Sequence, residues 1–144
     1  DFILANPPFN DQDWEGEKYR EDVRWVYGTP PVNNANFAWF QHIIWKLKPD
    51  GQAGIVMSNG ASSAEESGEG KIRRAMIKDD LIEVMITLPP QLFINVQVPA
   101  TLWFLTKNKN KHGRSRQKEH LFINAKNLGT MINSTQKEFT DEEI

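Results

Sequence analysis

The sequence contains no cysteine. That excludes a disulfide framework and any metal site built on thiolates. Its three histidines, His42, His112 and His120, are scattered and make no ligand constellation, so no metal is expected. An excess of one charge is also missing. The 17 Lys and Arg residues face 19 Asp and Glu residues, for a net charge of −2. This balance makes no electrostatic case for nucleic-acid binding by the whole chain, but it leaves local basic patches open. No apolar run is long enough to span a bilayer, and no signal-peptide pattern is visible. No membrane partner is expected, and the setting implied is cytoplasmic and reducing. A length of 144 residues allows one domain at most.

What is there begins with the first ten residues. Phe2–Ala5 is an apolar run that reads as a buried strand. It must stop at Asn6, because Pro7 and Pro8 have no N–H to donate to a sheet. Asn6 precedes a proline and is pushed towards an extended backbone. Phe9 follows on a stiff turn. A carboxamide, a carbonyl-rich corner and an aromatic ring thus sit at the carboxyl end of a strand, where ligands bind in open α/β sheets. These groups suit a planar amine. The Asn6 oxygen and the Pro7 carbonyl can each accept one N–H of an NH₂ group. Phe9 offers a stacking face for an extruded base, worth about 1–3 kcal/mol.

The rest of the chain alternates helix and strand. Residues 10–36 form a long polar excursion carrying Trp14, Trp25 and Tyr27, read either as a surface segment packed on the domain or as a lid. Asn34 or Asn36 can cap the next helix, whose face holds Phe37, Phe40, Ile44 and Leu47. Pro49-Asp50-Gly51 ends it. Residues 53–57 read as a second strand, parallel to the first. Glu65, Glu66 and Glu69 lie in a stretch rich in Gly, Ser and Glu that reads as solvated loop. A short helix turns Ile72, Ala75 and Met76 inward. Residues 81–88 and Ala100–Thr106 read as third and fourth strands. The link between them is short for a helical crossover, which favours an antiparallel fourth strand. Residues 121–123 read as a return strand in a hairpin with the fourth. Between them lies a basic run, Lys107 to Lys118, read as a solvated tip, with a phosphate-contacting loop as the alternative. Thr140 and Glu143 have capping-box spacing and predict the start of a helix. The chain opens in a strand and closes at a helix start, so residues 1–144 are expected to be a partial domain with both ends cut.

Asn6-Pro7-Pro8-Phe9 resembles the (Asn/Asp)-Pro-Pro-(Tyr/Phe) motif of amino-group methyltransferases that use S-adenosylmethionine. The likeness extends in order through Tyr27-Gly28, the helix at 37–48, Pro49-Asp50-Gly51, residues 54–59, the Ile72-Arg73 helix and Leu88-Pro89 through Phe93 to the strand at 101–107. This order resembles the modification (M) subunit of type I restriction-modification systems. The resemblance implies a Rossmann-like α/β methyltransferase fold with a mixed sheet of which one strand, here the fourth, is antiparallel; this chain holds the C-terminal half of that fold. It implies methyl transfer from S-adenosylmethionine to N6 of a flipped adenine in duplex DNA. It also implies a specificity subunit and a motor-nuclease subunit as partners. By the same likeness Asn6, Pro7, Pro8 and Phe9 are catalytic. Phe9 and Phe93 contact the base, and Asn6 contacts the cofactor. For Phe93 a core position under a loop remains the alternative.

The family's Gly-rich cofactor loop and its ribose-binding acid precede this motif and have no counterpart in this chain. The chain alone is therefore expected neither to bind cofactor nor to turn over. Two other readings keep some of the residues. One is an RNA or protein amino-group methyltransferase with the same corner. The other is a non-catalytic scaffold module.

Overall fold

A computed structural model of the chain describes residues 1–93, 98–111 and 113–144, so His112 and the side chain of Glu66 lie outside the described residues. Among the described residues seven strands and two α-helices follow in order: β1 (Phe2–Ala5), α1 (Asn36–Lys46), β2 (Gln52–Ser58), α2 (Glu69–Lys78), β3 (Ile82–Thr87), β4 (Ala100–Thr106), β5 (Leu121–Asn124), β6 (Thr130–Met131) and β7 (Lys137–Glu138). The first five strands form one sheet in the order β1-β2-β4-β3-β5, and β6 and β7 pair separately. β1 runs parallel to β2, with Ala5 opposite Ile55. β4 is antiparallel to both β2 and β3. The expected sheet, three parallel strands and an antiparallel fourth, is what forms.

Strand periodicity explains the packing. In β4 Thr101, Trp103 and Leu105 point to one face, and Leu102 and Phe104 point to the other. The first face is covered by α1 and α2. Phe37, Phe40, Ile43 and Ile44 of α1 and Ile72 and Met76 of α2 bury against Ile55, Met57, Trp103 and Leu105. Trp103 meets Phe40 edge-on, with centroids 4.9 Å apart. Its indole N–H donates to Thr101 Oγ1 at 2.9 Å, and the Thr101 hydroxyl donates to the Met57 carbonyl at 3.3 Å. A buried indole is thereby satisfied without water. The second face is open. Phe2 and Leu4 are 76% and 85% exposed, and Phe104, Leu121 and Ile123 are exposed beside them.

Three expectations are corrected. β1 is not a buried strand, since Phe2 and Leu4 stand exposed on the open face of the sheet. The strand at 121–123 makes no hairpin with β4. Both edges of β4 are already taken by β2 and β3, so β5 instead joins the far edge of β3 in parallel, with Phe122 opposite Met85. Glu69 is not solvated loop: it opens α2 and is buried, while Glu65 pairs with Arg73 and Arg74. At the end of the chain the Thr140 amide and hydroxyl donate to the Glu143 carboxylate, as the capping-box spacing predicts, and residues 141–143 make a turn.

The basic run is anchored rather than free. Lys109 is 3% exposed, and its ammonium donates to Asp80 Oδ1 at 2.6 Å, to the Ile82 carbonyl at 2.8 Å and to the Glu119 carbonyl at 2.7 Å. Arg114 pairs with Glu119, and Arg116 with Glu83. Burial raises the Asp80 carboxyl, but the Lys109 ammonium and the Lys118 amide outweigh it and hold it below the usual range. These contacts carry the chain from β4 past the start of β3 to the far edge. Lys109→Ala should destabilise the fold by about 3 kcal/mol. That is the low end for breaking a buried ion pair, because Asp80 keeps some water. Lys111→Ala, at an exposed position, should change stability by no more than about 0.5 kcal/mol. Urea denaturation midpoints of the two variants check this.

Candidate active site

The Asn-Pro-Pro-Phe corner leaves the carboxyl end of β1 as its residue types require. Pro7 is buried, Phe9 packs partly against the core, and Asn6 and Pro8 are exposed. No described residue hydrogen-bonds the Asn6 carboxamide. Asn10 then adopts a left-handed backbone, φ 53°, which asparagine tolerates better than most residues.

Asn36 holds that turn in place. The Asn10 amide donates to Asn36 Oδ1 at 3.0 Å, and Asn36 Nδ2 donates back to Asn10 Oδ1 at 2.8 Å. Ser58 Oγ, at the end of β2, donates to the same Asn10 oxygen at 3.3 Å. Asn36 and Ser58 are almost fully buried. Of the two expected capping residues, Asn34 does accept the Asn36 N–H, at 2.9 Å, whereas the Asn36 side chain turns inward. The end of the motif is therefore fixed between the first turn of α1 and the last residue of β2.

A cleft of about 690 Å³ opens beside the corner. This volume falls within the range of small-molecule sites, about 300–1,000 Å³. Asn6, Pro7, Pro8 and Phe9 line it from β1, and Leu92 and Phe93 line it from the segment after β3. The structure thus brings together all five residues singled out in the sequence. It adds Gln136, which no motif or spacing marked. The Lys137 amide donates to the Gln91 carbonyl at 2.9 Å and docks the β6–β7 pair onto the segment carrying Phe93. Glu143 in turn closes that pair. Its carboxylate accepts the Gly129 and Thr140 amides, each at 2.9 Å. Those two N–H donors hold the Glu143 carboxyl below its ordinary value of 4.5.

The excursion at 10–35 is packed on α1. Trp14 stacks on Tyr19 and meets Trp25 edge-on, around a cavity of about 290 Å³ that Trp39 and His42 also line. Gly16 permits this: a Cβ there would lie 2.7 Å from the Trp14 ring. Arg24 chelates Asp22, lowers its carboxyl to about 2, and donates to His42 Nδ1 at 2.7 Å. Burial first, then Arg24 and Lys46, push the His42 imidazole down, so it is neutral at pH 7. The side chain of Gln41, itself buried, accepts the Tyr27 amide at 2.9 Å and donates to the Gly28 carbonyl at 2.8 Å. Tyr27 then donates to Asp79, and burial and that carboxylate raise its phenol far above the ordinary range. Among the described residues, no group of three or more His, Cys, Asp or Glu side chains is placed to hold a metal ion, and no helix is long and apolar enough to cross a membrane.

The mixed sheet with its helices is that of a Rossmann-like methyltransferase, and comparison with known proteins narrows the class. The sequence matches the N-6 DNA Methylase family over residues 1–144, and the chain belongs to that family. It is 47% identical over its full length to the type I restriction enzyme HindI methylase subunit of Haemophilus influenzae, covering 31% of that protein. It is 43% identical over its full length to the type I restriction enzyme MjaIX methylase subunit of Methanocaldococcus jannaschii, covering 26% of it. The chain therefore spans between a quarter and a third of these relatives. In structure it superposes on the methyltransferase subunit of a type I restriction-modification system from Streptococcus thermophilus with a TM-score of 0.84. The two share 29% identity over 99% of this chain and 30% of the other.

Two outcomes follow from the pins. Asn36→Ala leaves the Asn10 amide without its acceptor and should destabilise the fold by about 1–3 kcal/mol, read from the urea midpoint. The Glu143 contact is pH-dependent with a defined sign. A depressed carboxyl stabilises the folded pair fully above its ordinary value and loses that contribution as pH falls through the lowered value. Amide exchange at Gly129 and Thr140 should therefore lose protection below pH 4.5. In Glu143→Gln that carboxyl-linked change should be absent.

Proposed function

We propose that this chain is the catalytic-motif part of a type I modification methyltransferase subunit, which transfers a methyl group from S-adenosylmethionine to N6 of an adenine turned out of duplex DNA. The observation that carries the reading is the corner itself. The Asn6 carboxamide and the Pro7 carbonyl carry no hydrogen bond from any described residue, and both stand at a cleft with Phe9 on one wall and Phe93 on another. Extraction of the base gives chemistry access to N6. Phe9 and Phe93 would stack on the base, while Asn6 and Pro7 would accept its two N6 protons and aim the nitrogen lone pair. Much of the rate would come from this orientation. Of the residues in the cleft, Asn6 is the one suited to stand beside the cofactor, whose bound role is to supply an electrophilic methyl group. The cleft offers that methyl end a polar corner; a glycine-rich cradle or an acidic residue to hold the cofactor's ribose is not among its described lining residues.

The working protein would be longer than this chain, consistent with the share of its relatives that it spans and with the open apolar face of its sheet. Its partners would be the DNA, a specificity subunit and a motor-nuclease subunit, in the cytoplasm. The DNA grip would lie largely elsewhere, because Lys109, Arg114 and Arg116 are engaged by carboxylates of the chain. Membership of a DNA methylase family over the whole chain does not favour an RNA or protein methyltransferase or a scaffold module.

The test uses the full-length parent with its specificity partner and duplex DNA. Asn6→Ala should lower kcat by about 5- to 150-fold, the kinetic equivalent of an unpaired buried donor at about 1–3 kcal/mol. DNA affinity should change little. Phe9→Ala should weaken capture of the flipped base, and Phe9→Tyr or Phe9→Trp should restore it. An Asn6→Ala enzyme with unchanged kcat would return the corner to a structural turn.

A further inference from the structure

We infer that Gln136 is a base-reading residue of this site: its carboxamide donates to a ring nitrogen of the flipped adenine, N1 or N7. The inference rests on the function proposed above. Gln136 immediately precedes β7 and lines the cleft together with Asn6, Phe9 and Phe93. Its backbone carbonyl accepts the Ile132 amide at 3.0 Å, which closes the β6–β7 pair. The next residue, Lys137, donates its amide to the Gln91 carbonyl, two residues before Phe93. The backbone on both sides of the Gln136 carboxamide is thereby fixed, and no described residue hydrogen-bonds the carboxamide itself. A half-buried amide held at a cleft with free donors is a recognition group waiting for a partner.

Chemistry narrows what that partner is. If Asn6 and Pro7 take the two N6 protons, the edge of adenine still presents ring nitrogens, and these only accept. Of the described side chains lining the cleft, Gln136 is the one besides Asn6 that has a hydrogen-bond donor. A donor facing N1 would also reject guanine, whose N1 carries a proton. Donor-to-donor contact leaves both groups unpaired, which is how a polar site rejects a near-isostere strongly.

The test is a substitution cycle across enzyme and DNA, run with the full-length methyltransferase, its specificity partner and duplexes bearing adenine, 1-deazaadenine or 7-deazaadenine at the target position. For the wild type, one of the two deaza analogues should lower kcat/KM by about tenfold. In Gln136→Leu, kcat/KM on adenine should fall by a similar factor, and the same deaza substitution should cost nothing further. Gln136→Glu keeps the shape of the side chain but exchanges the donor for a charged acceptor at neutral pH, so its loss should be at least as large, and a urea midpoint unchanged in both variants separates reading from folding. If both deaza analogues act equally on wild type and variants, the inference is overturned. Asn6→Ala is assayed in parallel. Loss of activity there together with additive deaza effects would refute the Gln136 assignment alone, whereas an active Asn6→Ala enzyme would refute the underlying reading.

Discussion

The site depends on one polar contact, the reciprocal pair of hydrogen bonds between Asn10 and Asn36. Two prolines end β1 sharply but do not by themselves say where the chain goes next. Asn10 turns it in a left-handed conformation, and Asn36 and Ser58 fix that turn to α1 and β2. Burial makes these bonds matter. Asn36 lies buried while Asn10 stays at the surface, and a buried carboxamide that loses its partner is costly, so the corner is held in one position.

The apolar core serves the same end from beneath. Asn36 and Phe37 open one helix, so the residue that holds the motif and the residue that enters the core share a first turn. Trp103, satisfied by Thr101, seats β4 against that helix, and the β2–β4 ladder ties β2 to it. Across the cleft, the segment after β3 is braced by β7, and β7 by Glu143. Two walls of one cleft thus come from distant parts of the chain, each held by a few short polar contacts.

Much of this was legible in the sequence. Strand positions followed from short apolar runs, and the antiparallel β4 followed from a short link together with the family likeness. The corner was legible because proline has few options. The place of β5 was not, because periodicity marks a strand but does not say which edge is free. Lys109 read as one more charge in a basic run, since nothing local shows that its head would be buried between Asp80 and two carbonyls. Asn36 reads, with Asn34, as one of two candidate caps, the commonest use of asparagine before a helix. Gln136 lies in an unpatterned polar stretch, and only the pairing of β7 with β6 and the Gln91 bond brings it to the cleft.

The central claim is that Asn6 and Pro7 hold the N6 amine of an extruded adenine. The most direct measurement is a crystal structure of the full-length methyltransferase with its specificity partner, its target duplex and a non-reactive analogue of S-adenosylmethionine. The account predicts N6 within hydrogen-bond distance, about 2.7–3.2 Å, of both Asn6 Oδ1 and the Pro7 carbonyl, with the base stacked on Phe9. An adenine bound outside this cleft, or one inside it with N6 turned away from Asn6, would contradict it.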